Sequence, residues 1–319
     1  MNHHAHPRRT RSRRLRLLAV AGIAAVAVTA AGCSTNATSS GSSDGGTATI
    51  RVVAAENFWG SLAGQLGGDH VTVTNIIDSP NADPHDYEPT AADGRAMAGA
   101  RLAIVNGIGY DSWAGKLVAA NPSEDRTVLT VGDLVGVRAG GNPHRWYSPT
   151  DVRTVIDRIT ADYRKIDPKH AGFYTRQHDK VVHTNLKRYF DLVGRIRSTY
   201  AGTRVGASES IVTPLAEATG LNLTTPPSFL NAISEGTDPT AADKQTIDRQ
   251  IARRQITVYV YNSQNATPDV RAQVRAAKAK GIPVATVTET LTPAGASFQR
   301  WQVAQLTALV AALHKGTGK

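Results

Sequence analysis

The chain has 319 residues, 41% of them hydrophobic and 19% charged, an ordinary balance that excludes wholesale disorder and a polytopic membrane protein. Its length fits two domains of roughly 100–200 residues better than one. The formal charge of +10 is not a nucleic-acid signal: Arg8, Arg9, Arg11, Arg13, Arg14 and Arg16 precede Cys33 with no acidic residue among them. After Cys33, 30 basic side chains face 26 acidic ones, without a Lys/Arg block interleaved with aromatics.

The chain opens on a basic segment, then an apolar stretch from Leu15 to Ala31 broken only by Arg16 and Thr29, then Gly32-Cys33. That arrangement is an export signal. Ala30-Ala31-Gly32-Cys33 approximates a lipobox, so residues 1–32 read as a lipoprotein signal peptide. Cys33 then carries the lipid that anchors the chain to the extracytoplasmic face of the cell membrane. The plainer alternative is an ordinary signal peptide with an incidental cysteine. Cys33 is the only cysteine, so no intrachain disulfide forms and no thiol is left for metal or catalysis once it is acylated. Ser12-Arg13-Arg14 leaves twin-arginine export open beside the general secretory route. Residues 33–46 contain no large apolar side chain and read as a flexible tether.

From Thr47 the pattern alternates. Ile50–Ala55, Val71–Ile77 and Leu102–Asn106 are short apolar, β-rich runs, each followed by a helical segment: Phe58–Leu66, Ala91–Ala100 and Ser112–Ala119. Val128–Val131 adds a strand, and Thr150–Ile166 reads as a helix ended by Asp167-Pro168. Repeated βα units imply a parallel sheet covered by helices, so residues 47–168 are expected to form an α/β domain.

In residues 169–200, Val182, Leu186, Tyr189, Val193, Ile196 and Tyr200 recur at steps of four and three, one face of a single helix. Some 30 helical residues span about 45 Å, enough to link two domains; two helices broken near Asp179 are the alternative. The alternation then resumes: strands at Arg204–Ala207, Leu221–Thr224, Ile256–Tyr261 and Ile282–Val287, with helices at Ile211–Thr219, Ala241–Arg254, Pro268–Lys280 and Ser297–His314. Residues 201–319 are expected to form a second α/β domain. Two such domains leave a cleft at the carboxyl ends of their strands, where open parallel sheets bind ligands.

Four loop segments follow predicted strands or start helices. The first is Asp83–Thr90 (DPHDYEPT), in which prolines hold the backbone extended around His85 and Thr90 can cap the next helix. The second, Asn142–Pro149 (NPHRWYSP), repeats the Pro-His placement at His144. In the third, Ser208–Leu221, Glu209 stands between a strand and an amphipathic helix. In the fourth, Thr286–Leu291, Glu289 ends the strand Ile282–Val287. Each taken alone is also what an ordinary loop histidine or helix-start carboxylate looks like.

Together these segments resemble the zinc- and manganese-binding substrate-binding lipoproteins of ABC importers, the adhesin-type metal binders among them, over nearly the whole stretch from Thr47 to His314. Pro84-His85-Asp86-Tyr87-Glu88-Pro89 is similar to the family's first ligand segment. Pro143-His144, followed by Arg145-Trp146, is similar to its second, and Ser208-Glu209 to its third. Glu289 stands where the family usually has an Asp. The resemblance implies a metal site of His85, His144, Glu209 and Glu289, a transported Zn²⁺ or Mn²⁺ in place of a catalytic cofactor, and an ABC permease and ATPase as partners. It also implies a monomer that is not an enzyme and binds no nucleic acid. Two imidazoles and two carboxylates are donors of intermediate hardness that suit either ion and cancel its charge.

Asp86 and Glu88 read as groups orienting the His85 loop, and His178 and His183 as solvated helix histidines. His3, His4 and His6 lie in the leader. The competing functions are a zinc hydrolase and a cobalamin- or haem-like cofactor binder on the same scaffold. The first would need an open coordination position, and the sequence has no His-Glu-x-x-His helix.

Overall fold

A computed structural model describes residues 49–319 except 81 and 83. The signal peptide, Cys33 and the tether expected at 33–46 lie outside the described residues. No described helix is long and apolar enough to cross a membrane.

The first sheet contains β1 (Ile50–Glu56), β2 (Val71–Ile77), β3 (Leu102–Val105) and β4 (Thr127–Thr130), in the order β2-β1-β3-β4 and parallel throughout. Helices α1 (Asn57–Gly67), α2 (Ala91–Gly99) and α3 (Ser112–Ala120) make the crossovers. β1 and β3 are buried almost end to end, as strands covered on both faces must be. Val53, Ala55, Met97 and Trp113 fill the smaller core beneath α2 and α3. Thr90 caps α2 through a reciprocal bond pair with Asp93, and Ser148 caps α5 (Pro149–Ile166), with Pro149 at its first position. The short α4 (Val131–Val135) lies between β4 and α5.

The second sheet repeats the plan. β5 (Arg204–Ala207), β6 (Asn222–Leu223), β7 (Val258–Asn262) and β8 (Val284–Val287) run parallel in the order β6-β5-β7-β8. Around them lie α8 (Thr213–Thr219), α9 (Pro227–Ser234), α10 (Ala241–Ala252), α11 (Pro268–Ala279) and α12 (Phe298–Thr317). Helix α9 is absent from the sequence reading. Pro226-Pro227 reads as a breaker, yet Pro is well suited to a first helical turn, where its missing N–H costs nothing.

The segment read as one long helix is α6 (Ala171–Lys180), a π-helical turn Val181–Asn185, and α7 (Lys187–Tyr200). The extra residue in the wide turn lets Leu186 donate its N–H to the Val181 carbonyl at 2.9 Å. Val182, Leu186, Tyr189, Ile196 and Tyr200 of the expected face are buried, and Leu192 is buried where Val193 is only half-buried.

One continuous apolar core joins both lobes. Tyr147 of the first lobe meets Trp301 of the second edge-on, with centroids 6.0 Å apart and an interplanar angle of 73°; such pairs contribute about 0.5–1.5 kcal/mol beyond area burial. Polar bonds cross as well. Tyr147 Oη donates to the Thr288 carbonyl at 2.8 Å, and the Phe298 N–H donates to Ser61 Oγ at 2.9 Å.

In each sheet the strand order reverses beside the first strand, between β1 and β3 and between β5 and β7. A crevice opens at the carboxyl ends of the strands at such a switch point. Glu56 ends β1, Asn106 follows β3, Ser208-Glu209 follow β5 and Asn262 ends β7. The two sheets thus deliver polar side chains to this crevice for a topological reason.

Candidate metal centre

His85 lies on the loop between β2 and α2. Trp113 Nε1 donates to the Pro84 carbonyl at 2.9 Å, and Tyr87, against the Trp113 ring, donates from Oη to Asp93 at 3.0 Å. These contacts fix the loop beside His85, whose ring meets Tyr110 edge-on at 4.8 Å. Asp86 and Glu88 are exposed.

His144 is 1% exposed. Its Nδ1 and its backbone N–H each lie 2.9 Å from Asn142 Oδ1. With Nδ1–H donating to that amide oxygen, Nε2 is left as the acceptor facing the crevice. Burial pushes this imidazole below the ordinary histidine range, which favours the neutral ring a metal requires. Asn142 Nδ2 in turn donates to the Ser210 carbonyl of the other lobe at 2.7 Å.

Glu289, two residues beyond β8, reaches back into this space. Its Oε1 lies 3.7 Å from His85 Nε2 and 3.6 Å from His144 Nε2. Burial alone would raise its pKa, but His144 and then His85 outweigh it and hold the carboxyl below its usual range. One ligand atom from each of His85, His144 and Glu289 lies within 4.8 Å of the other two.

Glu209, 1% exposed, is joined to this trio through Asn262. Asn262 Nδ2 lies 2.7 Å from Glu209 Oε1 and 3.5 Å from Glu289 Oε2, and Asn265 Nδ2 donates to Glu209 Oε2 at 2.8 Å. Gln264 fixes the Glu289 backbone, accepting its N–H at 2.6 Å, and donates to the Pro80 carbonyl at 2.7 Å. The structure therefore brings three of the four residues together directly and the fourth through a shared amide.

Asn142, Asn262, Asn265 and Gln264 carry no signal in hydropathy or spacing. Only Asn142, two residues before His144, stands inside a segment the sequence singles out. Tyr110 and Glu56 also escape a sequence reading. Tyr110 follows a tight bend in which Gly107, Ile108 and Gly109 all have positive φ, costly for a β-branched residue. Asp111 holds the bend by accepting the Asn106 and Gly107 N–H groups at 2.7 Å each.

Glu56 is fully buried, and neither of its oxygens meets a hydrogen-bond donor in good geometry. Burial first, and the Asp111 charge second, push its carboxyl well above the usual range, with a smaller contribution from Glu289. Glu56 ends β1 at the same edge of the sheet as the crevice, and its burial beside Asp111 favours the protonated form.

A cavity of about 640 Å³ opens on one side of the trio, bordered by His85, Tyr110, Asn142, Ser210 and Ser234. A second, of about 420 Å³, is bordered by Pro84, His85, Asn265 and Glu289. The histidines of the helical segment lie elsewhere: His178 is bonded to Asp157 and Asp179 at 2.7 and 3.1 Å, and His183 is exposed.

Two parallel α/β lobes thus present their carboxyl-end loops to one another across a crevice. A family model described as zinc-uptake complex component A, periplasmic, matches residues 52–312, and the chain belongs to that family. Among curated relatives, the iron-binding protein YfeA of Yersinia pestis is 31% identical over 133 residues, 40% of this chain and 42% of its own length. The manganese-binding lipoprotein MntA of Halalkalibacterium halodurans is 29% identical over 148 residues, 45% of this chain and 47% of its own. The chain thus spans about half the length of the curated relatives it matches.

Solved structures agree on the fold. The periplasmic zinc binding protein TroA from Treponema pallidum superposes with a TM-score of 0.70 at 19% identity, over 83% of this chain and 99% of its own. The Mn-bound periplasmic metal binding protein from Candidatus Liberibacter asiaticus gives 0.69 at 20% identity, over 82% and 98%. The two-lobed α/β architecture expected from the alternation of strands and helices is therefore the architecture of the chain.

Proposed function

We propose that this chain captures a divalent transition metal, Zn²⁺ or Mn²⁺, between its lobes and delivers it to the permease and ATPase of an ABC importer. His85, His144, Glu209 and Glu289 are the ligands. The observation that carries this reading is the convergence of both imidazole Nε2 atoms on one carboxylate oxygen of Glu289, at 3.7 and 3.6 Å. An ion with bonds of about 2.0–2.2 Å fits such a gathering after small side-chain adjustments. His85 and His144 belong to the lobe of residues 47–168, Glu209 and Glu289 to that of residues 201–319. Metal therefore fastens one lobe to the other, with residues 169–200 as the connection.

The continuous core and the bonds crossing between lobes favour a modest closure over a wide swing. Four protein ligands leave no coordination position for a reacting water, which supports binding and transport over hydrolysis. Cys33, acylated after removal of residues 1–32, holds the monomer on the extracytoplasmic face of the membrane.

The test is elemental analysis of the purified protein together with competition titration. Zn²⁺ should bind with one equivalent in the crevice and displace Mn²⁺ at equal concentration, as the order of stabilities for nitrogen/oxygen sites requires. Loss of neither ion on His144→Ala would sink this assignment.

A further inference from the structure

At the opposite end of the first sheet, outside the crevice, a second group of metal-ligating side chains converges. His70 ends the short 3-10 turn Gly68–His70 and immediately precedes β2, whose first residue, Val71, pairs with Ile50 at the start of β1. His170 ends the 3-10 turn Pro168–His170, and Asp167 stands between that turn and α5. Nearly 100 residues separate His70 from the other two. Yet its ring lies against that of His170, tilted by 33° with centroids 4.0 Å apart, and one ligand atom from each of His70, Asp167 and His170 lies within 4.8 Å of the other two.

The surroundings resemble a prepared ligand set more than a chance surface contact. His170 Nδ1 lies 2.7 Å from Asp167 Oδ2, which also accepts the Tyr174 hydroxyl at 2.8 Å. Nδ1 and Oδ2 thus already stand side by side, close to the separation of two ligand atoms on one ion. Phe173 meets His70 edge-on at 4.5 Å, holding that ring from the other side. Asp167 is the C-cap of the 18-residue helix α5, so the negative end of the helix dipole favours a cation there.

We propose that His70, His170 and Asp167 form a second site for a divalent first-row transition-metal ion, separate from the cargo site. Two nitrogen donors and one carboxylate suit Zn²⁺, Co²⁺ or Ni²⁺, and a tetrahedral ion with bonds of about 2.0–2.1 Å holds its ligand atoms about 3.3 Å apart. All three side chains are only half-buried, so side-chain rotation is enough to close the trio. The bound ion ties the start of β2 to the start of α6, stapling the first sheet to the helical connection between lobes.

Equilibrium dialysis against Zn²⁺ tests this, using the full chain with His3, His4 and His6 replaced by Ala so that the leader cannot contribute. The His85→Ala/His144→Ala variant should keep one equivalent of ion, and adding His70→Gln and His170→Gln should remove it. Co²⁺ on the crevice-dead variant should give a visible absorption spectrum, lost on Asp167→Asn or His170→Gln alone. Thermal unfolding verifies that each variant is folded, and the glutamines preserve size and polarity. No retained equivalent in the folded crevice-dead variant, or one that survives the His70 and His170 changes, overturns the proposal. The arms are independent of the crevice: a wild type whose only ion is lost on His70→Gln/His170→Gln would refute the cargo site and leave this one standing.

Discussion

Asn142 Oδ1 lies 2.9 Å from His144 Nδ1, and the same amide donates to the Ser210 carbonyl of the opposite lobe. One side chain therefore sets the tautomer of a buried imidazole and reports whether the lobes are in register. Asn142→Leu should weaken metal binding by about 10–100-fold, the usual effect of removing a group that orients a metal-bound histidine. Calorimetric titration with Zn²⁺ measures it. An affinity within twofold of wild type would show that His144 is oriented by packing alone.

Asn262 separates Glu209 from Glu289, with its amide 2.7 Å from one and 3.5 Å from the other. Removing it leaves two buried carboxylates with fewer donors between them, so Asn262→Ala should destabilise the metal-free protein by about 1–3 kcal/mol. Bound metal, which supplies the missing positive charge, should recover part of that loss. Chemical denaturation with and without Zn²⁺ gives both numbers; equal losses in the two states would contradict the argument.

Burial and the neighbouring Asp111 hold Glu56 well above the usual carboxylate range. In the unfolded chain a Glu ionises near pH 4.3. Above that value the unfolded state gives up a proton that the folded state keeps, so this group's contribution to stability falls as pH rises towards its raised folded value. Glu56→Gln should therefore raise the melting temperature more at about pH 7 than at about pH 4. A gain independent of pH would mean that burial does not raise the pKa of Glu56.

His144 has the opposite sign. Burial lowers its pKa, so below about pH 6.5 the unfolded state binds a proton that the folded state resists. The associated stability is complete above that pH and is lost as pH falls through it towards the lowered folded value. Metal-free protein should lose stability between about pH 7 and pH 5, less steeply in His144→Gln. Metal affinity should weaken over the same interval as protons compete for the ring. A melting profile of equal slope in both proteins would remove His144 as the cause.

The sequence by itself determined the architecture. Apolar, β-rich runs at Ile50–Ala55 and Leu102–Asn106, alternating with amphipathic stretches, admit little but parallel strands beneath helices, and Pro-His before a helix start singles out His85 and His144. These are local regularities, fixed by side-chain periodicity and backbone stereochemistry. Only the tertiary structure decided the rest. Asn142, Asn262 and Gln264 act through contacts to residues brought near by strand order, not by spacing. Glu56 resembles any strand-end carboxylate until burial beside Asp111 pushes its pKa well above the usual range. The π turn at Val181–Asn185 interrupts a helix that an even period reads as unbroken, and His70 meets His170 from 100 residues away in the chain. Long-range proximity and desolvation are properties of the packed chain, and a one-dimensional pattern does not contain them.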